Sequence, residues 1–419
     1  EPSPRWPPVI ARVPFRWLEP QGERRTVTHT RRPLALVAAL LFVAAAVGFF
    51  AGVNNPPARA ATDDQIVTGA GPGGGAHVRT FRGDGSATAT SFFNSGSGGG
   101  GVTVATGDWD GDGDQEIITG SGRGEGATDR VYNRDGNGQV TEFNAYPGFT
   151  GGIFVAAAEM DGVPGVEIVT APGAGGGPHV KVLTRNANGN TLIEVGGFMA
   201  YPVSMTSGVF VGAAEGIIAT GPGPGGGPHV RTFDVPSGGG AVVGDAGFMA
   251  FDPAFTGGVR VAMANLDIDA EPEVITAAGP GGGPHVKGFN ANGTATGVSF
   301  MAYDPAFRGG VYVGASRQAG ALDRIITAAG GATHIRTFTR DNNPTAASFF
   351  AYPGFEGGAL VAGFDQSDDP PPTTTTTGAT TSTTGATTST TAGSTTTTCV
   401  PIVCSTTTTA STTTTTAAT

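Results

Sequence analysis

One string recurs six times along this chain, and the interval of its return constrains the fold more than any other feature. IVTGAGPGGGAHVRTF opens at Ile66. Near copies follow: IVTAPGAGGGPHVKVL from Ile168, IATGPGPGGGPHVRTF from Ile218, VITAAGPGGGPHVKGF from Val274 and IITAAGGATHIRTF from Ile325. A diverged copy, IITGSGRGEGATDRVY, starts at Ile117. The residue read as opening the strand after the glycine loop falls at 77, 129, 179, 229, 285 and 334, an interval of about 50 residues. A unit of that length matches a four-stranded propeller blade, which buries its faces only by packing against its neighbours.

Each unit supplies four strands. The first alternates around small residues, as in GVTVA, GIFVA, GVFVG, GVRVA and GVYVG, which suits crowding near a central axis. The second is of the IVT type, the third of the HVRTF type, and the fourth ends in FNAY, FMAY, FMAF or FFAY before a Gly-Gly turn. Helical periodicity is absent. The first copy, DDQIVTG, begins at its second strand, and GALVAGFD (358–365) is a first strand with no successor. Setting the two side by side completes a blade from both ends and removes the exposed sheet edges. The expected fold is all-β, a propeller of six four-stranded blades over 61–369 closed by a shared blade. Seven blades is the alternative.

Outside the repeat, residues 1–60 read as a leader. An apolar run from Leu34 to Val53 follows Arg31 and Arg32 and precedes Ala58-Arg59-Ala60, the pattern of a signal peptide or, uncleaved, of a membrane anchor. Residues 370–419 form a Thr-rich stalk of low complexity. Its Cys399 and Cys404, the only cysteines, are spaced for a small local disulfide outside the cell. The expected location is therefore secreted or cell-surface. Glycine and proline, 71 and 30 residues, would suggest disorder without a period, but the period reverses that reading. Net charge is -11, and the chain has two lysines, Lys181 and Lys287. Nucleic acid is excluded as a partner on charge, and a divalent cation is the more natural one.

GDWDGDGDQEIITG, from Gly107 to Gly120, places carboxylates at alternate positions. It satisfies the first half of an EF-hand loop but has Thr119 where the bidentate Glu belongs, and β-branched strands in place of helices on both sides. Five carboxylates within nine residues repel one another unless a cation sits among them. The order of first strand, acidic loop and apolar second strand resembles the FG-GAP repeats of integrin-α-type propellers, whose loop reads D-x-D-x-D-G-x-x-D. The resemblance implies calcium held by the carboxylates of Asp108, Asp110 and Asp112, the main-chain carbonyl of Asp114, and Glu116, which stands where the family has Asp. Weaker versions are NLDIDAEPE, with Asn265, Asp267, Asp269 and Glu273, and EMDGVPGVE, with Glu159, Asp161 and Glu167 but Val163 at the fifth position. The loops of the fourth and sixth units are expected to be empty.

Five histidines, His77, His179, His229, His285 and His334, share one repeat position. A ring of that breadth cannot converge on one ion, so they are read as structural, bonded to carbonyls of their own glycine loops. The Arg or Lys two residues on (Arg79, Lys181, Arg231, Lys287, Arg336) is read as an ion-pair partner between blades. GPGGGPH is not a nucleotide loop, because a strand follows it and no Gly-Lys-Ser/Thr is present. In the second unit Arg123, Glu125 and Asp129 are read as replacing Gly, Gly and His. With Arg308, Glu356, Tyr201, Phe255 and Phe307 they mark a candidate ligand surface on the face opposite the calcium loops. The expected function is a monomeric, non-enzymatic, calcium-stabilised binding or adhesion module for an extracellular protein or glycan. A secreted polysaccharide lyase or hydrolase, or a passive surface-layer spacer, is the alternative.

Overall fold

Runs rich in Val, Ile and Thr, broken by Gly-containing turns at short intervals, leave this chain no option but short antiparallel strands. A computed structural model describes residues 64–366, apart from 95–98, 187–188, 190, 237–241, 268, 270 and 319–320, together with 398–400 and 403–405. The expectations for the leader, and for most of the Thr-rich stalk, fall outside the described residues. In the stalk, Thr398–Val400 pairs with Val403–Ser405, and the register sets Cys399 opposite Cys404.

Six four-stranded antiparallel sheets follow in order. Blade two runs Val102–Gly107, Glu116–Ser121, Ala127–Tyr132 and Gln139–Tyr146 from axis to rim. Blades three to six repeat this path, with inner strands Ile153–Ala158, Val209–Ala214, Val259–Ala264 and Val311–Gln318. Blade one is the shared one: Ala359–Gly363 lies inside Asp64–Ala70, with Ile66 opposite Gly363 and Thr68 opposite Val361. Each inner strand packs against the next, and Ala359–Gly363 touches the inner strands of both blade six and blade two. The ring is therefore closed with six blades, not seven.

Burial follows radius. The second strands Glu116–Ser121, Glu167–Pro172 and Glu273–Ala278 are buried at every residue, because neighbouring blades cover both faces. The outermost strands, such as Ala295–Met301, bury little more than one residue each. Apolar clusters lie between blades, as where Val169 and Val180 of blade three meet Val209 and Ile218 of blade four.

The repeated polar residues are the joints between blades. Tyr352, at the end of blade six, donates its hydroxyl to the carbonyls of Thr68 (2.9 Å) and His77 (2.8 Å) in blade one. Tyr146 and Tyr201 do the same across their own interfaces, and Tyr303 donates to His334 O and meets the Thr327 hydroxyl, which removes Tyr201 from the ligand-surface candidates. Arg231 donates to Ala200 O of the preceding blade at 2.6 Å, and Lys287 to Ala250 O at 3.0 Å, so these cations meet backbone carbonyls and not the carboxylates expected. Lys181 is the exception, pairing with Glu194 of its own blade at 2.7 Å. The histidines depart from expectation in a similar way. His77, His285 and His334 each bond, at 2.9 Å, a serine diagonally across on the outer strand and not a loop carbonyl. Glycine in the loops has two distinct causes. A Cβ at Gly279 would lie 1.8 Å from Gly257 O, so the backbones touch there, whereas Gly225, at φ +96°, needs the left-handed region.

Candidate metal centre

The stretch from Gly107 to Glu116 closes the inner hairpin of blade two, whose register pairs those two residues. Its second position sinks into the core: Trp109 is 1 % exposed, and its N–H donates to Glu116 Oε2 at 2.9 Å. Asp108 accepts from the N–H groups of Gly111 (2.7 Å) and Gly113 (2.9 Å), which curls the loop around its own carboxylate. Asp112 accepts from Asp114 N–H at 2.7 Å. Ligand oxygens of Asp108, Asp110 and Glu116 come within 4.8 Å of one another.

Two further loops have the same plan. In blade three, Met160 is buried, its N–H donates to Glu167 at 2.9 Å, and Glu159, Asp161 and Glu167 gather within 4.8 Å. In blade five, Leu266 N–H donates to Glu273 at 2.6 Å, and Asp267, Asp269 and Glu273 gather likewise. Asn265 precedes that trio in the loop, and its side-chain N–H donates to Asp269 O at 3.0 Å. The blade-three loop, ranked last by sequence, assembles its trio as fully as the others, since Val163 simply turns to solvent at 60 % exposure. The acidic residue, buried apolar residue, acidic residue and final Glu were all visible in the sequence. The buried second position is the signal that ranking overlooked.

Electrostatics in these loops fits a cation. Burial pushes the Glu116 carboxyl up to about 8, with Asp110, Asp112 and Asp108 adding repulsion against the main-chain donor that opposes it. Burial likewise raises Glu167 to about 7 and Glu273 to about 6. The Asp110 carboxyl is raised by burial and then by Asp112, and its Oδ1 is buried with no hydrogen-bond donor. An orphaned carboxylate oxygen aimed among other carboxylates is where a hard, oxygen-seeking cation belongs, so the donor set fits Ca²⁺.

The blade-two loop is also tied to ring closure. Gln115 brackets the backbone of Asp365, donating to its carbonyl at 2.5 Å and accepting from its N–H at 2.8 Å. Thr106 adds a bond to Gly363 O at 2.8 Å. Acidic loop and closing strand are therefore one hydrogen-bonded unit.

Beside these loops the axis opens into a cavity of about 370 Å³. One residue at or just beyond the end of each inner strand rims it: Asp108, Glu159, Glu215, Asn265, Arg317 and Asp365. Arg317 reaches Glu215 at 2.7 Å and Asp365 at 3.3 Å. Asp323 lines the same cavity, and burial raises it to about 6, against its bond from Asn265 N–H.

The residues chosen for the opposite face do not form one patch. Arg123 and Arg308 are exposed there, but Arg308 belongs to the turn between blades five and six, across the ring from blade two, and donates to Pro305 O and Phe307 O of its own turn. Glu125 is half-buried. Asp129 is 0 % exposed and cannot meet a ligand at that surface. Nor does it replace a histidine. Gly120 opposite Asp129 corresponds to Gly69 opposite Val78, so Thr128 takes the histidine position and Asp129 a buried valine position.

No protein-family model matches the chain, and no curated protein matches it. Among solved structures, it is similar to Sqt1 of Saccharomyces cerevisiae (10 % identity, TM-score 0.38, 61 % of this chain and 63 % of that one). A protein from Lactobacillus plantarum is similar at 12 % identity, TM-score 0.43, 67 % and 81 % coverage. Virginiamycin B lyase of Staphylococcus aureus is similar at 11 % identity, TM-score 0.39, 68 % and 87 % coverage. The fold assignment rests on the chain's own strand order and ring contacts.

Proposed function

We propose that this chain is a calcium-stabilised propeller of FG-GAP type, acting outside the cytoplasm as a binding or adhesion module for protein or glycan ligands. The observation that carries it is the buried, donorless Asp110 Oδ1 among carboxylate oxygens within 4.8 Å of one another. Asp108, Asp110, Asp112 and Glu116, with the Asp114 carbonyl, would hold the ion, which supplies charge neutralisation and fixes the hairpin. Gln115 would carry that rigidity to the closing strand. The extracytoplasmic setting is supported by the apolar run before Ala58-Arg59-Ala60 and by the Thr-rich stalk. Calcium titration by calorimetry, with a glycan array probed in calcium and in chelator, tests the reading. Absence of calcium heat removes the metal, and an array blank in both conditions favours the passive spacer.

One observation favours a second reading, polysaccharide cleavage. Asp323 is a raised carboxyl beside a cavity that also presents Glu159 and Glu215, the contrast an acid and its partner carboxylate need. Release of reducing sugar that disappears in Asp323→Asn would establish it, and no release from acidic or neutral polysaccharides would dismiss it.

A further inference from the structure

At the other end of the axis, nearest the glycine loops, each inner strand presents one residue at the same repeat position: Thr103, Phe154, Phe210, Arg260, Tyr312 and Leu360. Five are neutral. Arg260 is 4 % exposed, with its Cζ 5.3 Å from the Phe210 ring centroid and 4.7 Å from that of Tyr312. Its Nη1 reaches Ala278 O only at 3.5 Å, and its Nε has no hydrogen-bond partner. Among the described residues no carboxylate pairs with it.

A guanidinium cannot shed its proton to escape burial. The faces of two aromatic rings offset part of the lost hydration, yet a desolvated charge still requires a counter-charge. The surroundings leave room for one. A cavity of about 50 Å³ adjoins Arg260, the dimension of a halide or a single carboxylate group and too small for a nucleotide or a sugar ring. Tyr312 lines it as well, and its hydroxyl has no hydrogen-bond partner among the described residues. The backbone has made way for the cation: a Cβ on Gly279 or Gly310 would lie 2.7 Å from Arg260 Nη1.

We infer that the cavity beside Arg260 binds a small monoanion, a halide or a carboxylate of acetate size, held by the Arg260 guanidinium and the Tyr312 hydroxyl. The site is independent of the calcium loops, which lie at the other mouth of the axis. It also gives the glycine-loop face a charge-specific anchor that Arg123 and Arg308, on separate sides of the ring, do not provide.

The test uses the full chain with calcium held constant. Thermal unfolding is followed in sodium chloride, acetate and gluconate at equal ionic strength, for the native protein and Arg260→Met, and crystals grown in bromide are examined for anomalous density. Chloride or acetate should raise Tm by a few degrees over gluconate, an anion too large to enter, and Arg260→Met should abolish the difference. Bromide density against the guanidinium is expected. A gain in acetate equal to that in chloride identifies the carboxylate as sufficient, whereas a gain in chloride alone assigns a halide. Equal Tm in all three salts with no bromide peak would overturn the inference, as would anion dependence that survives in Arg260→Met. Should that variant fail to fold, the bromide map of the native protein decides alone.

Discussion

Blades two and four solve the same problem in opposite ways. Each must return the chain from its inner to its second strand, and each does so with the same ladder: Gly107 opposite Glu116 in blade two, Ala214 opposite Ile217 in blade four. Blade four needs only Glu215 and Gly216, both at positive φ (47° and 82°), the two-residue type I′ turn that matches strand twist. Blade two spends eight residues, two of which (Asp108 and Asp110) cluster their carboxylates with that of Glu116, on a connection that two residues complete. Hairpin geometry therefore does not explain the acidic loop. The proposed cation would, together with the Gln115 contact to Asp365 that no two-residue turn could make.

Removing the cation should break this comparison most visibly. At calcium about a thousandfold above Kd, occupation of one site stabilises by roughly 4 kcal/mol, or roughly 6 °C in Tm for a ring of this size. Excess EDTA should reverse that shift, and Asp110→Asn should reproduce most of it. A melting curve indifferent to EDTA would reduce the loop to an ornate turn, with blade four merely the shorter version.

The contrast also marks what could be read from residues alone. Blade count and closure were legible because the missing first strand at Ile66 and the surplus one at Leu360 are defects of the same period. The gathering of carboxylates in the acidic loop was legible because they stand at alternate positions of one short connection. Asp129 was misread because its charge drew it into the histidine position; Thr128-Asp129-Arg130 keeps the His-x-Arg spacing, and the ladder opposite Gly120 fixes that register. The partners of the histidines and of Arg231 escaped for a related reason. A serine 14 residues away and a carbonyl of the previous blade depend on cross-strand and cross-blade register, and a backbone carbonyl leaves no mark in sequence. Arg260 was hidden in plain view, within a strand quoted for its small residues. Only the shared channel position shows it to be the single cation among five neutral side chains.

The interface after each of these blades sharpens the comparison further. Blade four offers Val230 to its neighbour, where blade two offers Asp129, whose carboxyl oxygens both lack a partner of good geometry beside a Thr170 hydroxyl that also lacks one. Burial raises this carboxyl from 3.8 to about 8, so the native state keeps a proton that an unfolded chain gives up between those values. The contribution of this group to stability is full below about pH 4 and is lost as pH rises through 8. Asp129→Val should add about 2 kcal/mol near neutrality and flatten the fall of Tm between pH 5 and 8, measured at saturating calcium so that the loop carboxylates stay deprotonated. An unchanged pH profile would mean that Asp129 does not titrate in that window.

Gln115→Ala isolates the link between loop and closure. Two hydrogen bonds to Asp365 are lost, at about 1 kcal/mol each, while every carboxylate of the blade-two trio remains. The calcium-loaded protein should lose a few degrees, with calcium stoichiometry unchanged. Loss of a bound ion instead would place Gln115 inside the metal site.

The smallest effect belongs to blade four, and it decides whether an acid next to the axis matters by itself. Glu215 sits at φ 47°, where Asn is better tolerated than Glu, and its one ion pair, to Arg317 at 2.7 Å, joins side chains each more than a third exposed. An exposed pair of that kind contributes between nothing and about 1 kcal/mol, and the turn preference of Asn offsets it in the opposite direction. Glu215→Asn should therefore move stability by less than about 0.5 kcal/mol and leave the calcium titration untouched. Asp108 occupies the same step beyond its own inner strand, yet its carboxylate accepts three N–H groups of an acidic loop and belongs to the trio of Asp110 and Glu116. If Glu215→Asn weakened calcium binding as Asp110→Asn is expected to, the cation would sit in the shared axial cavity and not in the hairpin. The difference between the two blades would then be one of length alone.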